Sequence, residues 1–352
     1  MLQKDLKKKQ YSLYQRMQWA KQAAEGMTWL HGAGVIHRDF KPSNLLWDKN
    51  TNTVKVCDFG LSALVPRGDG VQGEAKGTPL FVAPELVQGG DTTHAADVYS
   101  FGIAMSVFLT REPPFAHHTD LTAFLEAVCY DNERPALPED PLECPDSVRR
   151  LCEDCWEAQP EDRPTFEQIL KRFDEVLIDS AIFDPLGRLL WKKQFVTDKE
   201  GLREDVSWPE FLKVFNKYFG SNTVDLESRE MFYGDCMLEL FAKRVAGKFR
   251  VSLPHFGNML GFFQPLSNNG VWVSAACSLM SKAWFWGETD GNDAHRALST
   301  AAPGTYLIRF SSTPSNYTIS FRQGGQVWHT RINHTYQGDT YVLDTTASQG
   351  KT

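Results

Sequence analysis

The chain has 352 residues, which is enough for two or three domains, and its 42% hydrophobic and 23% charged residues are ordinary for a globular protein. Its formal net charge of −7 gives no support for nucleic-acid binding. The charged start does not read as a secretory signal, and the longest apolar run, Val98–Leu109, is too short to insert across a bilayer. Cys152 and Cys155 have no second pair at zinc-site spacing, so we expect core cysteines with reduced thiols in a cytoplasmic protein.

The first predicted elements are a helix and a hairpin. Apolar residues recur at helical spacing over residues 11–31, and Gly32 and Gly34 favour the end of that helix. Two short strands, residues 44–47 and 54–57, flank a turn rich in Asp and Asn, which predicts a hairpin.

Four chemically different side chains surround this hairpin. Asp39 is followed by Lys41 and Asn44, and Asp58 comes directly after the second strand. Phosphoryl transfer needs this set: a carboxylate for the substrate hydroxyl proton, a lysine for the transferred phosphate, and an amide and a carboxylate for Mg²⁺. A polar turn between two strands is the plain alternative, but it does not account for the coincidence.

The stretches His37–Asn44 and Asp58–Gly60 resemble the catalytic loop and the metal-binding motif of protein kinases, and the resemblance covers residues 1–178. It implies a mainly helical kinase C-terminal lobe with ATP and Mg²⁺ as cofactors. The implied roles fall on Asp39, Lys41 and Asn44 for catalysis, on Asn44 and Asp58 for the metal, and on Asn44, Asp58 and Leu46 for the nucleotide.

Further motifs follow in the order of such a lobe. Residues 77–85 resemble the substrate-docking loop, with Thr78 near the substrate and Glu85 in the closing Ala-Pro-Glu. Asp97 opens a motif that resembles the buried helix beneath the catalytic loop. Arg163 is expected to pair with Glu85 and to fix the geometry of the lobe.

The predicted activation segment, residues 61–76, has no Ser, Thr or Tyr between Ser62 and Thr78. A phosphate there would ordinarily pair with Arg38. Two alternatives stay open: Glu74 supplies a fixed negative charge, or backbone carbonyls hold Arg38. Lys41 resembles Ser/Thr kinases whereas the Asp97 motif resembles the tyrosine-kinase-like group, so Ser/Thr or dual specificity on protein substrates is expected.

A kinase also needs a Gly-rich loop, a strand lysine and a helix glutamate that holds this lysine, and the 36 residues before His37 contain neither the Gly-rich motif nor the strand-lysine motif. We interpret the chain as lacking the N-terminal lobe, either by truncation or as a natural pseudoenzyme. Truncation is favoured because every catalytic-loop residue is present. The chain as given is then expected to be inactive, with an exposed apolar surface beside the nucleotide site.

Residues 179–270 predict a helical linker. Ser207 and Glu210 have the spacing of a capping box, and a similar helix start recurs near Ser252. The segment has a faint EF-hand rhythm, but it is not a calcium site, because the loop lacks the oxygen ligands that calcium requires. The positions that would bind calcium hold Lys199, Gly201 and Arg203.

Residues 271–352 predict a helix around 293–298 and strands at 305–311, 317–322 and 327–332. This order, with Thr-x-Leu-Ile-Arg before a Ser-rich turn, resembles an SH2 domain that stops before its second helix. It implies phosphotyrosine binding, because a dianionic phosphate needs a fork-shaped permanent cation with hydroxyl and backbone donors. The implied residues are Arg309, Ser311, Ser312, His329 and Arg331.

Together these features predict a multidomain α+β protein: a helical kinase C-terminal lobe, a helical linker, and an SH2-type antiparallel sheet flanked by a helix. The order resembles the Shk-type kinase–SH2 fusions of the tyrosine-kinase-like group. We expect ATP-dependent phosphorylation of Ser/Thr, with Tyr open, on proteins recruited through phosphotyrosine. A non-catalytic phosphotyrosine-binding adaptor is the alternative. Recruitment to membrane-associated phosphoproteins also stays open, without direct insertion into the membrane.

Overall fold

The computed structural model describes residues 2, 4, 11–65, 70–72, 76–219, 231–263, 271–311, 316–335, 340–344 and 348–349. The chain divides into two compact units, Met1–Ser180 and Ala181–Thr352. It is a mixed α+β protein, as predicted. Among the described helices, none has the length and apolarity needed to cross a membrane.

The first unit is mainly helical with short two-stranded pairings. Its elements are α1 (Leu13–Gly32), β1 (Val35–Ile36), β2 (Leu45–Asp48), β3 (Thr53–Val56), β4 (Ala63–Leu64), α2 (Pro84–Val87), α3 (His94–Thr110), α4 (Leu121–Cys129), α5 (Asp146–Cys155) and α6 (Phe166–Ala181). Strand β1 pairs with β4, and β2 pairs with β3 as the predicted hairpin.

Helix α1 begins where the Ser12 hydroxyl accepts a hydrogen bond from the backbone of Gln15. It carries Arg16 into the core, where Nη1 donates to the carbonyls of Phe108 and Leu109 at 2.6 Å each. These carbonyls belong to the last turn of α3, where carbonyl groups have no N–H partner within their own helix. Burial lowers the pKa of Arg16 to about 10, and the guanidinium remains charged at neutral pH.

Helix α3 is buried over almost its whole length, which places the predicted buried helix at the centre of the unit. A Cβ atom at Gly102 would lie 2.9 Å from the Cβ of Cys155, so this glycine lets α3 and α5 approach closely. Cys152 and Cys155 are both fully buried on α5, in agreement with their interpretation as core cysteines.

The second unit begins with a helical module that also contains small sheets. Its elements are α7 (Pro185–Phe195), β5 (Val196–Thr197), β6 (Gly201–Leu202), β7 (Asp205–Ser207), α8 (Trp208–Phe219), α9 (Met231–Phe241), β8 (Lys243–Val245), β9 (Lys248–Ser252), α10 (Leu253–Leu260) and α11 (Val271–Met280). Strands β7 and β9 pair with Val206 opposite Val251, so the two similar helix starts in the sequence lie side by side.

Among the described residues, the Glu210 carboxylate does not make the hydrogen bond to the Ser207 backbone that the predicted capping box requires. It instead receives a two-pronged pair of hydrogen bonds from the Arg203 guanidinium, at 2.6 and 2.8 Å. A guanidinium fork matches both carboxylate oxygens, which a single backbone N–H cannot do. Arg203 therefore puts a fixed positive charge in the loop whose rhythm suggested an EF-hand.

The C-terminal part of the second unit is an antiparallel sheet with one helix. Its elements are α12 (Gly291–Ser299), β10 (Tyr306–Phe310), β11 (Tyr317–Gln323), β12 (Gln326–Thr335), β13 (Thr340–Leu343) and β14 (Ser348–Gln349). The strands follow the order β10-β11-β12-β13, and β14 pairs with β12.

The two faces of this sheet pack against different segments, helix α12 on one side and the segment after α10 on the other. Ala294 and Leu298 of α12 pack on Leu307 and Val327. On the other face the Phe262 ring lies 4.2 Å from that of Phe310, between ring centroids, and the carbonyl of Phe262 accepts a hydrogen bond from the Tyr317 hydroxyl at 3.0 Å. The segment after α10 therefore contributes to the core of the sheet.

Candidate functional site

The carboxylate of Asp39 is the centre of a hydrogen-bond network in the first unit. Lys41 Nζ donates to its Oδ2 at 2.6 Å, and Asn44 Nδ2 donates to the same oxygen at 3.0 Å. The backbone N–H and the hydroxyl of Thr78 donate to Oδ1 at 3.0 and 2.8 Å. Lys41 also donates to the Thr78 hydroxyl at 2.6 Å, which closes the network.

These donors set the charge state of Asp39. Burial alone would raise its pKa, but the hydrogen bonds from Lys41, Thr78 and Asn44 outweigh it, and the pKa lies below the ordinary value. Asp39 is therefore a charged carboxylate at neutral pH. Both of its oxygens are oriented before any substrate arrives.

Asp97 on α3 fixes the backbone of the catalytic loop through hydrogen bonds to its carboxylate. It accepts the N–H of His37 and the N–H of Arg38, each at 2.8 Å, and the Nε2 of His31 at 2.9 Å. Arg38 has a φ of 65°, in the left-handed region that residues other than glycine seldom adopt. The two oxygens of a fully buried carboxylate offset the strain of that conformation.

His37 connects the catalytic loop to the strand that precedes Asp58, a role that the sequence interpretation did not assign. Its ring is fully buried. Nδ1 accepts the backbone N–H of Asp39 at 3.3 Å, which leaves Nε2 as the protonated nitrogen that donates to the carbonyl of Cys57 at 3.1 Å. The only sequence signal was a histidine at the start of the loop motif.

Gly77 is a second residue whose role was not predicted. Its φ is +118°, and a Cβ atom there would lie 2.5 Å from the carbonyl oxygen of Arg38. The chain after the activation segment crosses the catalytic loop at this point. Only a residue without a side chain lets the next residue, Thr78, reach Asp39.

The predicted metal ligands, Asn44 and Asp58, lie at the same end of the hairpin. The backbone N–H of Cys57 donates to the carbonyl of Asn44 at 3.0 Å, and Asp58 is the next residue. Asn44 directs its amide nitrogen to Asp39, so its amide oxygen is the atom suited to a cation. Asp58 is exposed. An amide oxygen and a carboxylate fit Mg²⁺, which prefers oxygen donors.

The guanidinium of Arg38 is occupied by backbone carbonyls. Nε donates to the carbonyl of Leu61, and Nη2 donates to that of Ser62 at 3.1 Å. This arrangement matches one of the two alternatives left open by the sequence. Glu74, the other alternative, lies outside the described residues.

Glu85 and Arg163 form the structural ion pair expected for the lobe. Nη1 and Nη2 of Arg163 donate to the two carboxylate oxygens of Glu85 at 2.7 and 2.8 Å. The Arg163 side chain is fully buried, and it also donates to the carbonyls of Glu157, Ala95 and Ala158. The pair therefore joins the docking loop to the core.

Large apolar side chains are exposed in the hairpin and in the segment that follows it. Leu46 and Phe59 are each 49% exposed, and Leu64 is 80% exposed. An apolar surface was expected beside the nucleotide site. Leu46, the predicted nucleotide contact, is one of these exposed side chains.

In the second unit, Arg309 lies on the face of the sheet that α12 covers. Its Nη1 donates to the carbonyls of Thr289 and Phe310 at 3.4 Å each, which are long contacts. Within the described residues, its buried Nε has no hydrogen-bond partner. Burial lowers the pKa of Arg309 and the nearby Asp290 partly offsets this, but the guanidinium keeps its charge.

The strand register brings further predicted residues beside Arg309. Thr318 of β11 lies opposite Arg309 on one side and opposite Arg331 on the other, so these side chains share one face. Ser311 is buried at the end of β10. Ser312 lies outside the described residues.

His329 completes this polar group. Its Nδ1 lies 2.8 Å from the hydroxyl of Ser320. Burial, the Arg309 charge and His295 together lower the pKa of His329, so the ring is neutral at pH 7. His295 of α12, whose ring centroid is 6.5 Å from that of His329, was not predicted from the sequence. A single histidine on a helix carries no signal of what it faces.

Comparison with known proteins identifies both regions. Residues 1–173 match the protein kinase domain, and residues 284–349 match the SH2 domain.

Several relatives come from Dictyostelium discoideum. The dual specificity protein kinase shkC is 40% identical over 341 residues, covering 92% of this chain and 66% of the relative. The dual specificity protein kinase shkD is 40% identical over 331 residues, covering 92% of this chain and 43% of the relative. The dual specificity protein kinase shkA is 36% identical over 355 residues, covering 94% of this chain and 66% of the relative. The chain thus spans between 43% and 66% of the length of these relatives. The chain belongs to the Shk-type kinase–SH2 family, with a protein kinase domain followed by an SH2 domain.

Proposed function

We propose that this chain carries the catalytic loop of a dual specificity protein kinase and directs it to substrates through phosphotyrosine. The reaction transfers the γ-phosphoryl group of ATP to a Ser or Thr hydroxyl, with Tyr as a further acceptor. The observation that carries this proposal is the network in which Lys41, Asn44 and Thr78 all donate to Asp39. The relatives' names as dual specificity kinases support it.

Asp39 accepts the proton of the substrate hydroxyl as the new O–P bond forms and the bond between the γ-phosphorus and the departing ADP breaks. Its depressed pKa makes it a weak base, so its main contribution is to orient the hydroxyl for in-line attack. Lys41, held between Asp39 and Thr78, supplies positive charge to the transferred group.

Asn44 and Asp58 would hold Mg²⁺ through oxygen atoms. When bound, ATP would supply the phosphoryl group and Mg²⁺ would neutralise its charge. Leu46, half-exposed and two residues after Asn44, offers an apolar surface to the adenine side of the nucleotide. Thr78 is bonded to both Asp39 and Lys41, so a substrate that docks along residues 77–85 meets the catalytic groups directly.

The second part of the proposal is a phosphotyrosine pocket. Arg309 provides the charged fork, and its Nε, which has no hydrogen-bond partner among the described residues, is a donor available to a phosphate. Ser311, Ser312, His329 and Arg331 are proposed to line the same site. Tyrosine-phosphorylated proteins are therefore the proposed partners, in the cytoplasm and at membrane-associated phosphoproteins.

Kinase activity is tested on the chain alone and on the chain fused behind a protein kinase N-terminal lobe. In the active fusion, Asp39→Asn should lower kcat about 10²- to 10⁴-fold, while Asp131→Asn, an exposed residue outside the network, should leave it unchanged. If the fusion is folded, binds ATP and phosphorylates no protein, the non-catalytic adaptor is the better account.

Phosphotyrosine binding is tested on the full chain with a phosphotyrosine peptide and its unphosphorylated twin. Arg309→Lys keeps the charge but removes the fork, and should weaken binding at least about tenfold. Arg296→Lys makes the same exchange at an exposed position of α12 and should have no effect. Equal binding by wild type and Arg309→Lys would reject the proposed pocket.

A further inference from the structure

A cluster of metal-ligating side chains lies in the first unit, outside the network of Asp39. His117 and His118 follow α3, and Glu133 follows α4. The Nε2 of His117 lies 2.8 Å from Oε1 of Glu133, and the Nε2 of His118 lies 3.0 Å from Oε2. The ligand atoms of the three residues all lie within 4.8 Å of one another.

The backbone and the core hold this cluster in place. The N–H of Glu133 donates to the carbonyl of Ala127 in α4 at 3.0 Å, and the N–H of His118 donates to the carbonyl of Phe115 at 3.1 Å. The His118 ring packs edge-on against the buried Phe124, with centroids 5.7 Å apart. Two separate segments are thus fixed on a common apolar base with their polar atoms converging.

The next residue anchors the Glu133 segment further. Arg134 donates from Nε to the carbonyl of Trp156 at 2.9 Å and from Nη1 to the carbonyl of Glu133 at 2.8 Å. Its guanidinium also lies over the Tyr99 ring, 5.2 Å from the centroid. The carboxylate of Glu133 therefore extends from a backbone that has little freedom to move.

The donor set has the chemistry of a transition-metal site. Two imidazoles and one carboxylate suit zinc, whereas Mg²⁺ and Ca²⁺ prefer oxygen ligands throughout. Without a metal, each ring donates an Nε2–H to the same carboxylate. A divalent ion would take the place of those two protons, which would move to Nδ1 of each ring, and it would be held by the two Nε2 atoms and a carboxylate oxygen at about 2.0–2.2 Å.

We propose that His117, His118 and Glu133 form a binding site for zinc, with a fourth coordination position open to water. The bound ion joins the turn after α3 to the segment after α4. This site is independent of phosphoryl transfer and of phosphotyrosine binding, because none of its residues belongs to either network.

The test uses the full chain after treatment with a chelator, titrated with zinc chloride in a calorimeter. One zinc ion should bind at this site, and both His118→Ala and Glu133→Gln should weaken that binding at least about tenfold. Glu126→Gln, at an exposed position of α4, and His295→Ala, in the other unit, are matched controls that should bind as the wild type does.

A cobalt titration separates this site from the seven cysteines of the chain. The visible spectrum should show cobalt bound by nitrogen and oxygen, without thiolate charge-transfer bands, and should be lost in Glu133→Gln. His117→Ala checks that the effect is not misfolding, since this side chain is 67% exposed and its loss should leave the circular dichroism unchanged. No zinc binding by the wild type, unchanged binding in both ligand variants, or a thiolate spectrum would each overturn the proposal.

Discussion

The Asp39 site and the Arg309 site differ in how far hydrogen bonds from the chain itself satisfy their functional groups. Asp39 receives short hydrogen bonds from Lys41, Asn44 and Thr78, whereas Arg309 makes only two long contacts through Nη1 and leaves a buried Nε without a partner among the described residues. The first site is oriented by its own scaffold before substrate arrives. The second, among the described residues, leaves one buried donor without an acceptor, and we propose that a ligand rather than the chain supplies it.

This difference has an energetic consequence. A group that the scaffold satisfies stabilises the fold, and removing its support costs stability. A buried donor without a partner costs stability until a ligand binds, and that cost is recovered as affinity. Substitutions at the first site should therefore show in unfolding experiments, and those at the second in binding experiments.

The largest expected effect comes from Asp97→Ala, which leaves the N–H groups of His37 and Arg38 without their acceptor. Each unsatisfied buried group costs about 1–3 kcal/mol, and the His31 contact is lost as well, so we expect a loss of about 3 kcal/mol or more. Urea unfolding of the full chain, with hydrogen exchange used to follow the first unit, measures it.

The control for Asp97→Ala is Asp131→Ala, which removes an exposed carboxylate and should change stability by less than about 0.5 kcal/mol. A loss below about 1 kcal/mol for Asp97→Ala would mean that the scaffold does not depend on this carboxylate.

Gly77→Ala should be the next largest. It combines an unfavourable positive φ with a clash against the Arg38 carbonyl, whereas Gly89→Ala has a φ of +83° and open space around it. Gly89→Ala should cost about 1 kcal/mol from its backbone conformation, and Gly77→Ala about 2 kcal/mol more because the chain must move. In the kinase fusion, Gly77→Ala should also lower activity, because Thr78 is displaced from Asp39. Equal behaviour of the two variants would show that the crossing is not constrained.

A smaller effect is expected from His329 in the second site. Its pKa in the free protein is lowered by burial, Arg309 and His295, and a bound phosphate dianion would raise it. Near pH 6.5 phosphotyrosine binding should therefore take up a fraction of a proton at His329. Calorimetry in two buffers of different ionisation enthalpy measures this uptake as a difference in binding heat between the buffers. His329→Asn should abolish the part of that difference that comes from proton uptake at His329. Identical proton uptake by both proteins would place the phosphate away from His329.

The smallest effect concerns the pH dependence contributed by Asp39. Because its folded pKa lies below the ordinary value of 3.8, its charged form stabilises the fold above that pH, and the contribution is lost as the pH falls through the folded pKa. The stability difference between wild type and Asp39→Asn should therefore shrink as the pH is lowered below about 3.8. Asp131→Asn is the control. A difference that grows on acidification would contradict the lowered pKa.

Local sequence patterns predicted much of this molecule because their spacing is itself the structural constraint. The helix α1, the hairpin strands, and β10, β11 and β12 all agree with their patterns within a few residues, since alternation and helical spacing act over short stretches. The meeting of Arg163 with Glu85, 78 residues apart, followed from a family motif rather than from local pattern.

What the sequence did not predict depends on contacts between distant segments. The partner of Glu210 is Arg203 rather than a backbone N–H, and Phe262 packs on the sheet from outside the predicted strand region. The role of Gly77 appears only when the carbonyl it meets, that of Arg38, is in place. His295 gains its meaning from the sheet opposite it. Each depends on packing geometry that no local pattern encodes.

The central claim about Arg309 is best tested by nuclear magnetic resonance of its Nε–H group in the full chain, assigned with Arg309→Lys. On addition of a phosphotyrosine peptide this resonance should move strongly, as expected when a buried donor that has no acceptor among the described residues gains a charged one. The unphosphorylated peptide should leave it in place. A resonance that stays unchanged while the phosphopeptide binds would contradict the account.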